Sequence, residues 1–207
     1  MRPAVAVIAK APVAGRVKTR LSPEFSPAEA AALAEAALRD TLAAVRAVRG
    51  VRRVVVLDGA PGPWLGPGIE VVPQRAGGLA ERLAGAFADL GGPALVVGMD
   101  TPQVTPTMLR GALAVLERRD AVLGPALDGG YWAIGLAAPE PRAFAGVPMS
   151  RADTCARQRA RLRALGLSWE EREPLRDVDD PAAARAVAAT IPGSAFARAL
   201  GLLSAAA

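Results

Sequence analysis

The sequence contains no histidine, one cysteine (Cys155) and one tyrosine (Tyr131), and aromatic residues make up only 4% of its 207 positions. Without histidine there is no Ser-His-Asp triad, no HExxH zinc site and no imidazole general base. A lone cysteine excludes an intramolecular disulfide framework and a cysteine-rich zinc site. No apolar run approaches the roughly 20 residues of a membrane span. The N-terminus carries no signal-peptide pattern, so the expected location is cytoplasmic. Lysine is scarce as well: Lys10 and Lys18 stand alone among 25 basic residues, the rest being arginine. What remains for catalysis is oxygen chemistry. Any metal would be held by carboxylates, which points to Mg²⁺ or Mn²⁺.

What is present reads as a folded chain of a length that suits one domain over 1–207, with 52% hydrophobic residues and a net charge of +5. Residues 4–9 (AVAVIA), 53–57 (RVVVL) and 94–98 (ALVVG) are near-continuous apolar runs, the mark of strands buried on both faces. Shorter strands are expected at 69–72, 121–125, 131–136 and 167–172. Helices fall between them. Ser26-Pro27 reads as an N-cap followed by an N1 proline, with Glu29 in the first turn, and opens an alanine-rich helix to about Val48. Leu33, Ala37, Leu38, Thr41, Leu42 and Val45 form its expected apolar stripe. Further helices are expected at 79–90, after Thr105-Pro106, at 152–165, after Asp180-Pro181 and at the C-terminus. Alternating strands and helices predict an α/β, Rossmann-like, mostly parallel sheet with helices on both faces. Ligands of such sheets bind at the carboxyl ends of strands.

Four segments at such ends carry chemistry. Directly after the first strand, Lys10, Arg16, Lys18 and Arg20 fall within eleven residues together with Gly15. A glycine-containing loop bearing cations is suited to a di- or triphosphate. It matches neither GxxxxGK[ST] nor GxGxxG. Asp100 follows the strand ALVV and is placed to ligate a divalent ion, or to close a turn before Pro102. Asp177 and Asp179 alternate in an extended segment, so both can face one side, where a shared cation would relieve their repulsion. Asp180 is assigned to the helix N-cap instead. The block Asp128-Gly129-Gly130-Tyr131-Trp132 holds the sole tyrosine and is a candidate substrate contact, or a hairpin turn. Arg157, Arg159, Arg161 and Arg163 are read as a solvated helix face rather than a nucleic-acid surface, since no aromatic platform accompanies them.

These segments together resemble the GT-A-type nucleotide-diphospho-sugar transferase superfamily, and within it the bacterial DUF2064, glycosyltransferase-like family. The matching blocks are AKAPVAGRVKTRL at 9–21, GGLAERLAGAF at 77–87, GMDTPQVT at 98–105, GPALDGGYWAIGL at 124–136 and DVDDP at 177–181. The N-terminal block also resembles phospholactate and phosphoenolpyruvate guanylyltransferases. Met99, Thr101, Gly78, Ala80 and Met149-Ser150 depart from residues common in that family. The resemblance implies a GT-A sheet and nucleotide phosphates near Lys10, Gly15, Arg16, Lys18 and Arg20. It further implies metal ligation by Asp100 with Asp177 and Asp179, and substrate contact at Asp128, Gly129, Gly130 and Tyr131.

The expected reaction is a Mg²⁺- or Mn²⁺-dependent transfer from a nucleotide-diphosphate substrate, with Asp100 and Asp128 as the catalytic carboxylates. Glycosyl transfer from a nucleotide sugar to a small acceptor is the leading reading, with Asp128 as the acceptor's base. Nucleotidyl transfer from an NTP to a phosphorylated small molecule is the alternative, and a non-catalytic nucleotide-binding protein the third. No nucleic-acid or membrane partner is expected, and a homo-oligomer is left open.

Overall fold

The computed structural model describes residues 2–206. Seven strands form one sheet in the order β3-β2-β1-β4-β6-β5-β7. They are β1 (Ala4–Lys10), β2 (Arg52–Asp58), β3 (Glu70–Pro73), β4 (Ala94–Gly98), β5 (Ala121–Pro125), β6 (Tyr131–Leu136) and β7 (Trp169–Glu171). The helices are α1 (Pro27–Arg46), α2 (Leu79–Leu90), α3 (Pro106–Val115), α4 (Thr154–Ala164), α5 (Pro181–Thr190) and α6 (Ala195–Ala206). The fold is the Rossmann-like α/β architecture that the alternation predicts. Six strands are parallel; β6 runs antiparallel to both β4 and β5. The reason is local. Asp128-Gly129-Gly130 closes a tight hairpin, with Gly129 N–H donating to the Ala126 carbonyl at 3.1 Å and Ala126 N–H to that of Gly130 at 3.0 Å. A two- or three-residue turn can only join antiparallel neighbours.

Strand alternation sorts the core onto two faces. Val5, Val7, Val55, Leu57, Leu95 and Val97 pack under α1 and α3 with Leu38, Leu42, Val45, Leu109 and Val115. Ala4, Ala6, Val54, Val56, Val96 and Ile134 face Leu83, Phe87 and Leu90 of α2 and Leu162 of α4. There Phe87 stacks on Phe144 at 5.5 Å between centroids. Each fully buried aliphatic side chain contributes about 1.5–3 kcal/mol.

Helix α1 departs from the single stripe expected of it. Leu38, Leu42 and Val45 face the sheet, but Leu33 and Ala37 belong to a separate cluster with Val187, Phe196 and Leu200 of α5 and α6. The helix is clamped on two sides, which is why its small alanines are buried nearly all round. Its start is as the sequence predicts. Ser26 Oγ accepts from Glu29 N–H, and the Glu29 carboxylate accepts from Ser26 N–H at 2.8 Å. Thr105 and Asp180 cap α3 and α5 with the cap side chain alone, accepting from Met108 and Ala183 N–H. Among the described residues, no helix is long and apolar enough to cross a membrane.

Topology places the site. From β1 the chain moves to β2 and β3 on one side, then returns to β4 on the other. The carboxyl ends of β1 and β4 therefore flank a point where the winding reverses, the usual ligand crevice of such sheets. Because β6 is antiparallel, its first residue, Tyr131, opens onto the same end.

Candidate active site

Two adjoining cavities occupy this crevice. One, of about 620 Å³, is lined by the end of β1, the loop Arg16–Arg20, Gln74, Gly77 to Leu79, Arg82 and the end of β4 through Asp100. The other, of about 520 Å³, lies over Asp128, Gly130, Asp177 and the segment Met149 to Ala152. Arg20, Asp100, Tyr131, Ser150 and Asp179 border both.

The phosphate-loop candidates separate into two kinds. Lys10 and Arg16 are exposed, and their charged ends pair with no group among the described residues. Gly15 has φ +77, a left-handed conformation that favours glycine, and a Cβ there would meet only open space. Lys18 and Arg20 are already engaged. Arg20 reaches Asp179 at 2.9 Å. Lys18 is 7% exposed; its ammonium lies 2.6 Å from Asp100 Oδ1 and 3.4 Å from Asp179 Oδ1, and it donates to the Val178 carbonyl. The sequence pattern groups Lys18 with the free cations; in the folded protein it is an internal counter-ion.

The carboxylates converge, with one change of membership. Asp128, Asp177 and Asp179 bring one oxygen each to within 4.8 Å of one another. The extended segment carrying the last two is pinned in two places. Leu175 pairs with Ala126 beyond the end of β5, and Val178 N–H donates to the Asp100 carbonyl at 2.9 Å. Asp177 and Asp179 thus face one side, as their alternation predicts. Asp100, expected as their partner, meets Lys18 at the border, while Asp128 completes the triad. Asp128 is oriented by its own turn, Oδ1 accepting from Gly130 N–H at 2.8 Å. Burial, reinforced by the neighbouring Asp128 and Asp179 charges, pushes the Asp177 carboxyl up to about 6. Such a donor set suits a hard divalent ion: all oxygen, crowded negative charge, and a carboxyl that a cation would ionise.

The aromatic block borders both cavities and is also anchored within the fold. Tyr131 borders both cavities, but its hydroxyl points toward Met149 Sδ (3.6 Å) and Gln158 Oε1 (3.5 Å), and burial raises its pKa. Trp132 is buried, its indole N–H donating to the Glu173 carbonyl at 3.1 Å. Gly129 has φ +91, and Cys155 N–H donates to its carbonyl at 2.8 Å. Its role is to hold the turn, and Gly130 orients Asp128.

Three lining residues escaped the sequence pattern. Arg82 donates to Gly77 O at 2.9 Å, Asp58 Oδ2 at 3.0 Å and Gln74 Oε1 at 3.2 Å. Gln74 in turn donates to the carbonyls of Ala9 (2.7 Å) and Val56 (3.0 Å). Asp58 ends β2 and Gln74 follows β3, so position at strand ends was the available signal. Ser150, the third, sits at φ 58. The arginines of α4 are engaged elsewhere: Arg157 with Asp153, Arg159 with Glu171, Arg161 with the Arg142 carbonyl and Arg163 over the Trp169 ring.

No curated protein matches the sequence. Among solved structures, one described as a candidate nucleotide-diphospho-sugar transferase from Desulfovibrio desulfuricans G20 superposes with a TM-score of 0.85 at 26% identity, covering 98% of this chain and 94% of that one. CMP:2-keto-3-deoxy-manno-octonic acid synthetase complexed with CTP gives 0.57 at 14% identity, with 93% and 99% coverage. The Rv0371C complex with manganese from Mycobacterium tuberculosis H37Rv gives 0.55 at 20% identity, with 90% and 97% coverage. The last two show a shared fold. Residues 32–151 match the sequence profile of the family described as "uncharacterized protein conserved in bacteria" (DUF2064). That span is more than half the chain, and the protein belongs to the DUF2064 family.

Proposed function

We propose that the protein is a Mg²⁺- or Mn²⁺-dependent transferase that takes a nucleotide-diphosphate substrate, with glycosyl transfer from a nucleotide sugar to a small acceptor as its reaction. The observation that carries this reading is the pair of cavities sharing a wall of Asp100 and Asp179. One has free cations at its mouth and the other a carboxylate triad, an arrangement for two substrates meeting at a charged boundary. The resemblance to the Desulfovibrio protein over nearly the whole chain supports it.

In this reading Lys10, Arg16 and the Gly15 backbone bind the phosphates in the larger cavity. Asp128, Asp177 and Asp179 would hold the divalent ion, with Asp100 beside them. When bound, the ion supplies stabilisation of the charge that develops on the departing nucleoside diphosphate. Before an ion binds, Arg20 and Lys18 offset part of the charge of Asp179 and Asp100. Asp128 Oδ2, free of the turn hydrogen bond, takes the proton of an acceptor hydroxyl in the smaller cavity.

Nucleotidyl transfer is the second reading, favoured by the likeness of fold to a synthetase that binds CTP. A thermal-shift screen with Mg²⁺ or Mn²⁺ across NTPs and nucleotide sugars separates the two, followed by product analysis with the best ligand. A divalent-dependent shift with a nucleotide sugar is expected. A large shift with GTP or CTP and none with any nucleotide sugar would replace glycosyl by nucleotidyl transfer. No shift with any of them would leave the non-catalytic binding fold.

A further inference from the structure

Lys18 is a cation buried on carboxylates that the proposed metal site needs. An ammonium has three N–H donors, and here three acceptors take them: Asp100 Oδ1 at 2.6 Å, Asp179 Oδ1 at 3.4 Å and the Val178 carbonyl. The residue sits in the left-handed region at φ 50, ψ 36, at the entry to a 3-10 turn. That conformation is strained for a non-glycine residue, so the surroundings must hold it. Lys18 also lines the cavity whose mouth carries Lys10 and Arg16.

Asp179 is the hinge of the problem. It belongs to the triad with Asp128 and Asp177, and it is also bonded to Lys18 and Arg20. A divalent ion on that carboxylate would lie within a few ångströms of the ammonium. Like charges that close repel strongly in a partly buried site. Arg20, mostly exposed, can swing into solvent; Lys18, with its flexible four-carbon stem, borders the adjoining cavity and has room there.

We propose that Lys18 is a stand-in cation for the carboxylate cluster. It competes with the divalent ion for Asp179 and Asp100, and the entering ion releases its ammonium into the larger cavity, where it becomes a phosphate ligand. Lys18 thus couples the two halves of the site. With the ion absent, Lys18 offsets part of the charge of Asp179 and Asp100, and the cavity lacks one of its cations. With the ion bound, that cation is delivered to the polyphosphate. This inference rests on the metal and nucleotide reading above, and it adds an order of binding, ion before phosphate. It also reconciles the position of Lys18 in a cationic loop with its burial among acids.

The test is direct titration of the full chain with Mn²⁺, counting free ion by electron paramagnetic resonance without nucleotide. Lys18→Met keeps the apolar stem and removes the charge. It is expected to bind Mn²⁺ at least tenfold more tightly than the wild-type protein. A merely structural lysine gives the opposite sign, since its loss would loosen the carboxylates. A second measurement needs no variant. Leu21 N–H donates to the Lys18 carbonyl and Ser22 N–H to the Thr19 carbonyl; exchange of these two amides in the wild-type protein is expected to accelerate when Mn²⁺ is added. Equal or weaker Mn²⁺ binding by a folded Lys18→Met protein overturns the inference while the metal site stands. If Lys18→Met does not fold, unchanged Leu21 and Ser22 exchange on Mn²⁺ binding overturns it equally. If the wild-type protein binds no Mn²⁺, the metal reading falls and this inference falls with it.

Discussion

Gly129 and Ala152 are packed so closely that no side chain fits between them. A Cβ on Gly129 would overlap the Ala152 carbonyl oxygen, and the Gly129 φ of +91 is itself unsuited to a side chain. This contact locks the β5–β6 hairpin against the segment leading into α4, and the Leu175–Ala126 bridge on the same hairpin brings Asp128 beside Asp177 and Asp179. Gly129→Ala is expected to lose about 3 kcal/mol or more of stability, measured by urea denaturation. It should also lose Mn²⁺ binding at temperatures where it remains folded, because its hairpin must shift. Wild-type stability in this variant would show the contact to be dispensable.

The raised Asp177 carboxyl makes stability depend on pH. The folded protein holds this proton more tightly than the unfolded chain, whose ordinary value is 3.8. The group's contribution is therefore fully present below that value and is lost as pH rises through about 6. Asp177→Asn removes the loss. Without divalent ions it should be more stable than wild type by about 1 kcal/mol near neutral pH, after discounting for the half-exposed position. Near pH 3.5 the difference should vanish. Urea melts at the two pH values check this, and added Mn²⁺ should reverse the neutral-pH order.

Lys10 and Arg16 line the larger cavity, and with no ion-pair partner among the described residues they can meet a phosphate without first breaking a pair. Lys10→Met and Arg16→Met should each weaken pyrophosphate binding, measured calorimetrically with Mg²⁺, by about tenfold. Melting temperatures should hardly change, since both side chains are exposed. Unchanged affinity in both would move the phosphate site elsewhere.

Asp179 and Asp180 are neighbours with separate duties. Asp180 Oδ1 accepts from Ala183 N–H at 2.8 Å and caps α5. Asp180→Ala should cost about 1 kcal/mol and leave Mn²⁺ affinity unchanged. Asp179→Asn should abolish most Mn²⁺ binding. Equal effects of the two on Mn²⁺ would mean that the metal site spans both.

The fold was readable from local pattern because each signal acts locally. The apolar runs at 4–9, 53–57 and 94–98 become β1, β2 and β4, each shifted by no more than a residue or two, and Ser26, Thr105 and Asp180 start helices where their caps predict. The site was half readable. Asp177 and Asp179 share a side because a strand-like segment alternates, which is a property of the segment alone. Asp128 joins them only because a hairpin turn, the Leu175–Ala126 bridge and the Gly129–Ala152 contact bring together residues some fifty positions apart.

The amino-acid sequence by itself determined that this protein has no imidazole chemistry, that any metal would have to be held by oxygens, and that cations gather after the first strand. Those are consequences of residue type and spacing. Only the tertiary structure decided which of the cations remain free. Lys10 and Arg16 face solvent, whereas Lys18 turns inward onto Asp100 and Asp179, because a buried ammonium finds in carboxylates the partners it gives up on leaving water.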